Sequence, residues 1–286
     1  MSAPTTGGPG LRAAAPGSAL GWAVRDALAV AGRNVRRLMR QPEQIVFNLV
    51  SPIMFTLLFA FVFGGAIGGL QGVNYVNYLI PGIAVQTVLF SAGTTGFALA
   101  EDLQKGFVDR LRSLPMARSA VFVGRVLADT LNNAVGLLIL LITGFVVGFR
   151  PADVGGLLLS VVLLLVFALA VSLGYALIGL SVRSPEAVNA ATFPVVFPLT
   201  FASSAFVPVA TMPDWLQGFA THQPVTVVIN AARSLIFGDD VTPQQREVLL
   251  GGADTAGLVL ASAAWTIGIA LLFGVLCTRR YRRLSR

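Results

Sequence analysis

Charged residues are scarce in this chain, so the places where they gather are the places to look for chemistry. The densest is the run 101–116, EDLQKGFVDRLRSLPM. Wound as a helix from Asp102, it sets Leu103, Phe107, Leu111 and Leu114 on one stripe. Glu101, Lys105, Asp109 and Arg112 make a second stripe of alternating sign, at spacings where helical side chains meet. Pro115 then stops the helix. A stripe of apolar groups beside a stripe of mixed charge is the chemistry of docking, not of bond making. The plainer alternative is a solvated loop carrying a surface helix.

Residues for catalysis are missing. Lys105 is the only Lys, and it stands in Gln104-Lys105-Gly106, so no Gly-x-x-x-x-Gly-Lys-Ser/Thr loop exists to cradle ATP phosphates. Asp129 is the sole ionisable candidate within the apolar stretches, whereas ion-coupled transporters keep carboxylates at mid-membrane. His222 is the only His and neighbours Pro224, a place for capping a turn. Cys277 is the only Cys, which excludes an internal disulfide and a cysteine-based metal site. The chain is therefore expected to have no catalytic residue, no metal and no cofactor of its own. Either it moves nothing actively, or energy enters from a partner.

The elements that position these residues follow from composition. The chain has 286 residues, 55% hydrophobic and 12% charged. Soluble domains carry about 25% charged residues, so this is an all-α polytopic membrane protein with one membrane domain. Six stretches approach the roughly 20 residues a spanning helix needs: 46–63, 79–100, 126–149, 157–182, 187–207 and 255–277. Of the Lys and Arg, only Arg150, Arg233 and Arg246 fall on one side of this arrangement. The positive-inside rule then makes both termini cytoplasmic. It also accounts for the net charge of +7 without a nucleic-acid partner.

Residues 1–18, rich in Gly, Pro, Ala and Thr, read as a disordered tail. Residues 19–41 repeat the amphipathic pattern, with Leu20, Val24, Leu28, Ala31, Val35 and Leu38 on one face and Arg33, Arg36, Arg37 and Arg40 gathered on another. Such a helix is expected to lie in the headgroup plane, arginines toward anionic lipid. Between the last two spans, 213–237 reads as two short external helices started by Pro213 and Pro224, apolar enough to dip into the outer interface. The fifth span carries Pro194 and Pro198, which kink a membrane helix and free carbonyls.

Three pieces carry a resemblance: 101–116 followed by Gly124-Arg125 and Asp129; 144–151, GFVVGFRP; and Met212-Pro-Asp-Trp-Leu216 with His222-Gln-Pro-Val225. In these the chain resembles the membrane subunit of bacterial type-2 ABC exporters, the daunorubicin-resistance permease class. The resemblance implies a dimer of six-span subunits, formed with a second copy or a homologous permease, in the bacterial cell membrane. Two cytosolic ATPase subunits, carrying ATP and Mg, would power it.

It implies that 101–115 is the coupling helix. Glu101, Asp102, Lys105, Gly106, Phe107, Asp109, Arg110, Leu111, Arg112, Leu114 and Pro115 would then face the ATPase. It implies that 19–41 lies beside this helix, and that 213–237 re-enters the outer leaflet as an outer gate with Trp215, Phe219 and Ile229. The passenger would be an amphiphile, drug- or lipid-like, and Phe55, Phe59, Phe97, Phe197 and Phe201 would line its path. The competing expectation is a membrane anchor or sensor that holds a cytosolic partner and transports nothing.

Overall fold

The computed structural model describes residues 32, 42–64, 74–106, 120–238 and 241–284. The interfacial arginines Arg33, Arg36, Arg37 and Arg40, and Phe107 through Pro115, lie outside the described residues. Ten α-helices are described: α1 (Pro42–Val62), α2 (Tyr75–Ser91), α3 (Gly93–Gln104), α4 (Ala120–Val147), α5 (Val154–Gly179), α6 (Pro185–Phe201), α7 (Asp214–His222), α8 (Pro224–Phe237), α9 (Pro243–Leu250) and α10 (Thr255–Leu284).

Their starts are written locally. Asn74 accepts from the Val76 amide ahead of α2, and Asp153 from Gly155 ahead of α5. Ser184 caps α6, with Pro185 in its first turn. Thr242 and Gln245 form a reciprocal capping box on α9.

α5 is the axis of the bundle. It touches α2, α3, α4, α6, α8 and α10, and it is apolar nearly all round, one face meeting these helices and the other pointing outward. The main core joins Leu79, Ile83 and Val85 of α2, Leu140 of α4, Phe167 of α5, and Val228 and Ile229 of α8. Large apolar side chains also point outward, among them Leu138 and Ile142 on α4, Leu158 and Val162 on α5, and Leu271 and Leu272 on α10. An apolar exterior on helices that satisfy their own backbone is what a hydrocarbon solvent requires.

The expectation of six spans with re-entrant external helices is corrected. Among the described residues, four segments are long and apolar enough to cross a membrane: Tyr75–Gln104, Arg125–Val147, Val154–Gly179 and Pro243–Tyr281. Within α1, the apolar part identified among the described residues is the shorter Val50–Val62. The segment at 187–207 fails because α6 ends at Phe201 after 17 residues, and Ala202 leaves helical geometry. The apolar run continues in sequence, but the backbone does not continue as a helix.

No re-entrant helix is identified among the described residues. Most of α8 is buried against α2, α5 and α10, so its apolar composition serves protein packing and not entry into lipid. α7 is the opposite case, with only Ala220 buried and Trp215 80% exposed.

Candidate functional site

Where α6 ends, the backbone needs help. Pro194 and Pro198 cannot donate to the helix ladder, and beyond Ala202, whose amide still reaches Pro198 O at 2.8 Å, the backbone is turn and bend and not helix. Buried side chains from α2 and from the turn between α7 and α8 reach its carbonyls. The Tyr75 hydroxyl donates to Phe206 O at 3.2 Å, and the Tyr78 hydroxyl to Ser204 O at 2.9 Å. Gln223 Nε2 donates to Leu199 O at 2.9 Å.

At the centre is Arg233 of α8, with 0% of its surface exposed. Its Nε and Nη2 both donate to Tyr78 O, at 3.2 and 2.9 Å, and Nη2 also donates to Ser204 O at 2.9 Å. Nη1 donates to Asn230 Oδ1 at 2.9 Å and lies 3.5 Å from Ser204 Oγ. The guanidinium carbon sits 3.6 Å over the Tyr78 ring, a cation–π placement.

Every hydrogen-bond acceptor of this cation is a neutral oxygen. Burial draws the Arg233 pKa below its ordinary value, and the neighbouring Tyr78 and Tyr75 oppose that shift. Only a planar fork of five donors can serve three separate oxygens while stacked on a ring. The close approach behind it needs Gly82: a Cβ there would collide with the Ala205 carbonyl. Arg233 is therefore part of the core, not a loop charge that reports topology. Its sequence signal was Asn230-x-x-Arg233, two strongly polar groups one helical turn apart in a largely apolar helix.

An aromatic series runs past this hub. Phe55 and Phe59 of α1 stack with centroids 6.1 Å apart, and Phe59 stacks on Phe206 at 4.2 Å. Phe206 meets Phe201 at 5.3 Å, Phe201 meets Phe197 at 4.3 Å, and Phe197 meets Phe193 at 5.1 Å. Four of the five expected path residues are thus brought together through Phe206, which the sequence did not single out. Phe97 stands apart on α3. Trp215, Phe219 and Ile229 are not brought together either, since Trp215 and Phe219 are exposed while Ile229 is wholly buried.

Where α2 ends and α3 begins lies a second polar cluster. Asp129 Oδ2 accepts from Thr95 Oγ1 at 2.5 Å and pairs with Arg125 Nε at 3.1 Å. Arg125 Nη2 reaches Thr94 O at 3.4 Å. Asn133 Nδ2 donates to Asp129 O at 3.0 Å, and its Oδ1 meets Ser91 Oγ. This clamp ties α3, which leads into the charged segment, to α4, which leads out of it. α3 itself stops at Gln104: Lys105 caps it and Gly106 takes a φ of +63°, which favours glycine. Glu101 and Asp102 therefore close a helix that began at Gly93 instead of opening a new one. Lys105 pairs with Glu101 at 2.5 Å but is largely exposed, so the pair adds little stability. His222 caps the end of α7, its Nδ1 2.9 Å from the Gly218 carbonyl.

Long apolar helices, a buried polar hub at a broken helix and an outward apolar face define a multi-pass membrane protein. The model of the ABC-2 type transporter family matches residues 25–237, and the chain belongs to that family. It is a membrane permease subunit of an ABC transporter, a class that works with an ATPase subunit in a lipid membrane.

The chain is 33% identical over 243 residues to a daunorubicin resistance ABC transporter permease protein, DrrB1, of Streptomyces coeruleorubidus, covering 84% of this chain and 80% of that one. A probable doxorubicin resistance permease, DrrC, of Mycobacterium tuberculosis is 26% identical over 265 residues, covering 92% and 90%. A doxorubicin resistance permease, DrrB, of the same organism is 30% identical over 212 residues, covering 71% and 73%.

Proposed function

We propose that this permease exports an amphiphilic substrate, drug- or lipid-like, from the cytoplasm or inner leaflet outward. Two permease subunits, this chain with a copy of itself or a homologue, form the path. Two ATPase subunits dock on the pair, one on 101–115 of each permease, and both termini are cytoplasmic. The observation that carries the reading is the clamp of Asp129, Arg125 and Thr95, which joins the two helices flanking the charged segment. A displacement of that segment would pass into α3 and α4 together, as a rigid-body motion. The phenylalanine series supports an apolar passenger, and so do the drug names carried by the relatives.

The test reverses Arg110 and Arg112 to Glu. Breaking interfacial charge pairs costs several kcal/mol. The double variant should still insert in the membrane but lose co-purification with its ATPase and ATP-dependent uptake of daunorubicin into everted vesicles. Unchanged co-purification and uptake would remove the docking assignment. Uptake should also persist when the proton gradient is collapsed and ATP is maintained.

A further inference from the structure

The last turns of α10 are seated on α5. Cys277 and Tyr281 are buried against Leu99 of α3 and against Ala176 and Leu180 where α5 ends. The Cys277 thiol donates to Leu173 O at 3.3 Å, and Arg280 Nε donates to Leu180 O at 3.3 Å. Arg183 lies three residues beyond Leu180, at most about 11 Å of chain, and Arg279 precedes Arg280. Three cations thus gather at one corner of the bundle. Among the described residues no carboxylate pairs with any of them, Glu186 at the start of α6 included. Arg183 and Arg279 are exposed, and Arg280 keeps both terminal nitrogens for another acceptor.

The depth of this corner points to the kind of acceptor. α10 has 30 residues. With Thr255 at one edge of the hydrocarbon, Arg279 falls about 36 Å along the helix, beyond a core about 30 Å thick and within the headgroup layer. Val275 and Leu272 are exposed one and two turns deeper, on the face that Arg279 continues. An apolar stripe ending in a cation at that depth matches a phospholipid, with an acyl chain along the stripe and a phosphate at its end. Arginines gathered without a counterion repel one another, and a bound anion removes that cost.

We propose that this corner is a binding site for an anionic phospholipid of the surrounding membrane. Arg183, Arg279 and Arg280 hold its phosphate, and an acyl chain lies along Val275 and Leu272. The guanidinium fork matches phosphate oxygens, and basic pockets between membrane helices take diphosphate heads such as cardiolipin. Leu103 of α3 packs on the same cluster, so the lipid sits at the foot of α3, where the charged segment leaves the bundle. The site depends neither on the passenger nor on the direction of transport.

The full chain in maltoside micelles is titrated with tetraoleoyl cardiolipin. Binding is read from the lipid retained in native mass spectrometry and from the rise in unfolding temperature. Saturable binding is expected. Arg279→Gln combined with Arg280→Gln should weaken it about thirtyfold, the product of two basic contacts. Arg279→Lys keeps the charge and should bind nearly as the wild type does. Arg183→Gln, on an exposed turn, should weaken binding about fivefold, so the idea stays exposed if the double variant misfolds. Arg246→Gln controls for charge alone, since Arg246 bonds Thr255 at the opposite end of α10, and it should leave affinity unchanged. An equal loss in that control, or binding that never saturates, would show diffuse attraction and overturn the site. Inorganic phosphate that raises the unfolding temperature as much as cardiolipin would make the ligand a soluble anion, which also overturns it. Unchanged cardiolipin affinity in the three Gln positions overturns it too, and loss of ATPase co-purification by those variants would reassign the corner to the partner protein. None of these outcomes touches the export reading, which ATP-driven efflux by the assembled complex tests separately.

Discussion

Arg233 offers the sharpest test of the polar hub, because two substitutions separate charge from geometry. Arg233→Met removes the cation and its desolvation penalty together. The oxygens it leaves are not all orphaned: Ser204 O keeps the Tyr78 hydroxyl, and Asn230 Oδ1 keeps Ser204 Oγ at 2.8 Å. Hydrogen bonds to a charged group contribute about 1.5–3 kcal/mol each, offset in part by the recovered desolvation. The expected loss is therefore about 2–4 kcal/mol.

Arg233→Lys keeps the charge and its burial but presents a point ammonium. That group cannot serve Tyr78 O, Ser204 O and Asn230 Oδ1 in their separate directions while stacked on a ring. An under-satisfied buried charge costs about 3–5 kcal/mol. The conservative change should thus be at least as harmful as the apolar one. Reversible unfolding of the full chain in mixed micelles, measured for all three proteins, reads both differences. A Lys variant within about 0.5 kcal/mol of wild type, the reach of ordinary surface substitutions, beside a severely weakened Met variant would show that charge matters and fork geometry does not. The account of the hub would then fail.

Gly82→Ala should destabilise by about 1–3 kcal/mol through overpacking against Ala205, whereas Gly218→Ala, with open space around it, should be neutral or gain up to about 1 kcal/mol of helix propensity; chemical denaturation of the pair checks the contrast. Asp129→Asn should leave Arg125 unpaired and cost about 1–3 kcal/mol. If the clamp couples the flanking helices, the assembled complex should also lose transport per ATP hydrolysed more than it loses ATPase binding, which parallel efflux and pull-down measurements would show. Phe206→Ala should cost about 3–5 kcal/mol, since that ring is buried between two stacks. Phe197→Ala, at a half-exposed ring, should change stability little and impair efflux, and an unchanged efflux rate would detach the series from the path.

What the sequence determined by itself was the kind of solvent and the kind of protein. Twelve per cent charge and long apolar runs require helices in a bilayer. The run 101–116 with its sequel to Asp129 was enough to suggest the permease family. The absence of a phosphate-binding loop left two readings, a chain that moves nothing actively or one powered by a partner.

Tertiary structure decided what the apolar runs were for. Hydropathy counts residues and does not see where a backbone stops being a helix. The run 187–207 reads as one span, yet it breaks after Phe201 where Tyr75, Tyr78, Gln223 and Arg233, as far as 131 residues away in sequence, supply donors for the broken part. The same blindness affected 224–237, whose apolar face meets protein and not lipid. Arg233 read as a loop charge because the sequence lists a residue's type and not its partners. Phe206 went unnoticed because a stacking series across α1, α6 and the segment after it has no period along the chain. Local spacing fixes what a helix can present; only the packing of distant segments settles which of those faces are buried, broken or left open.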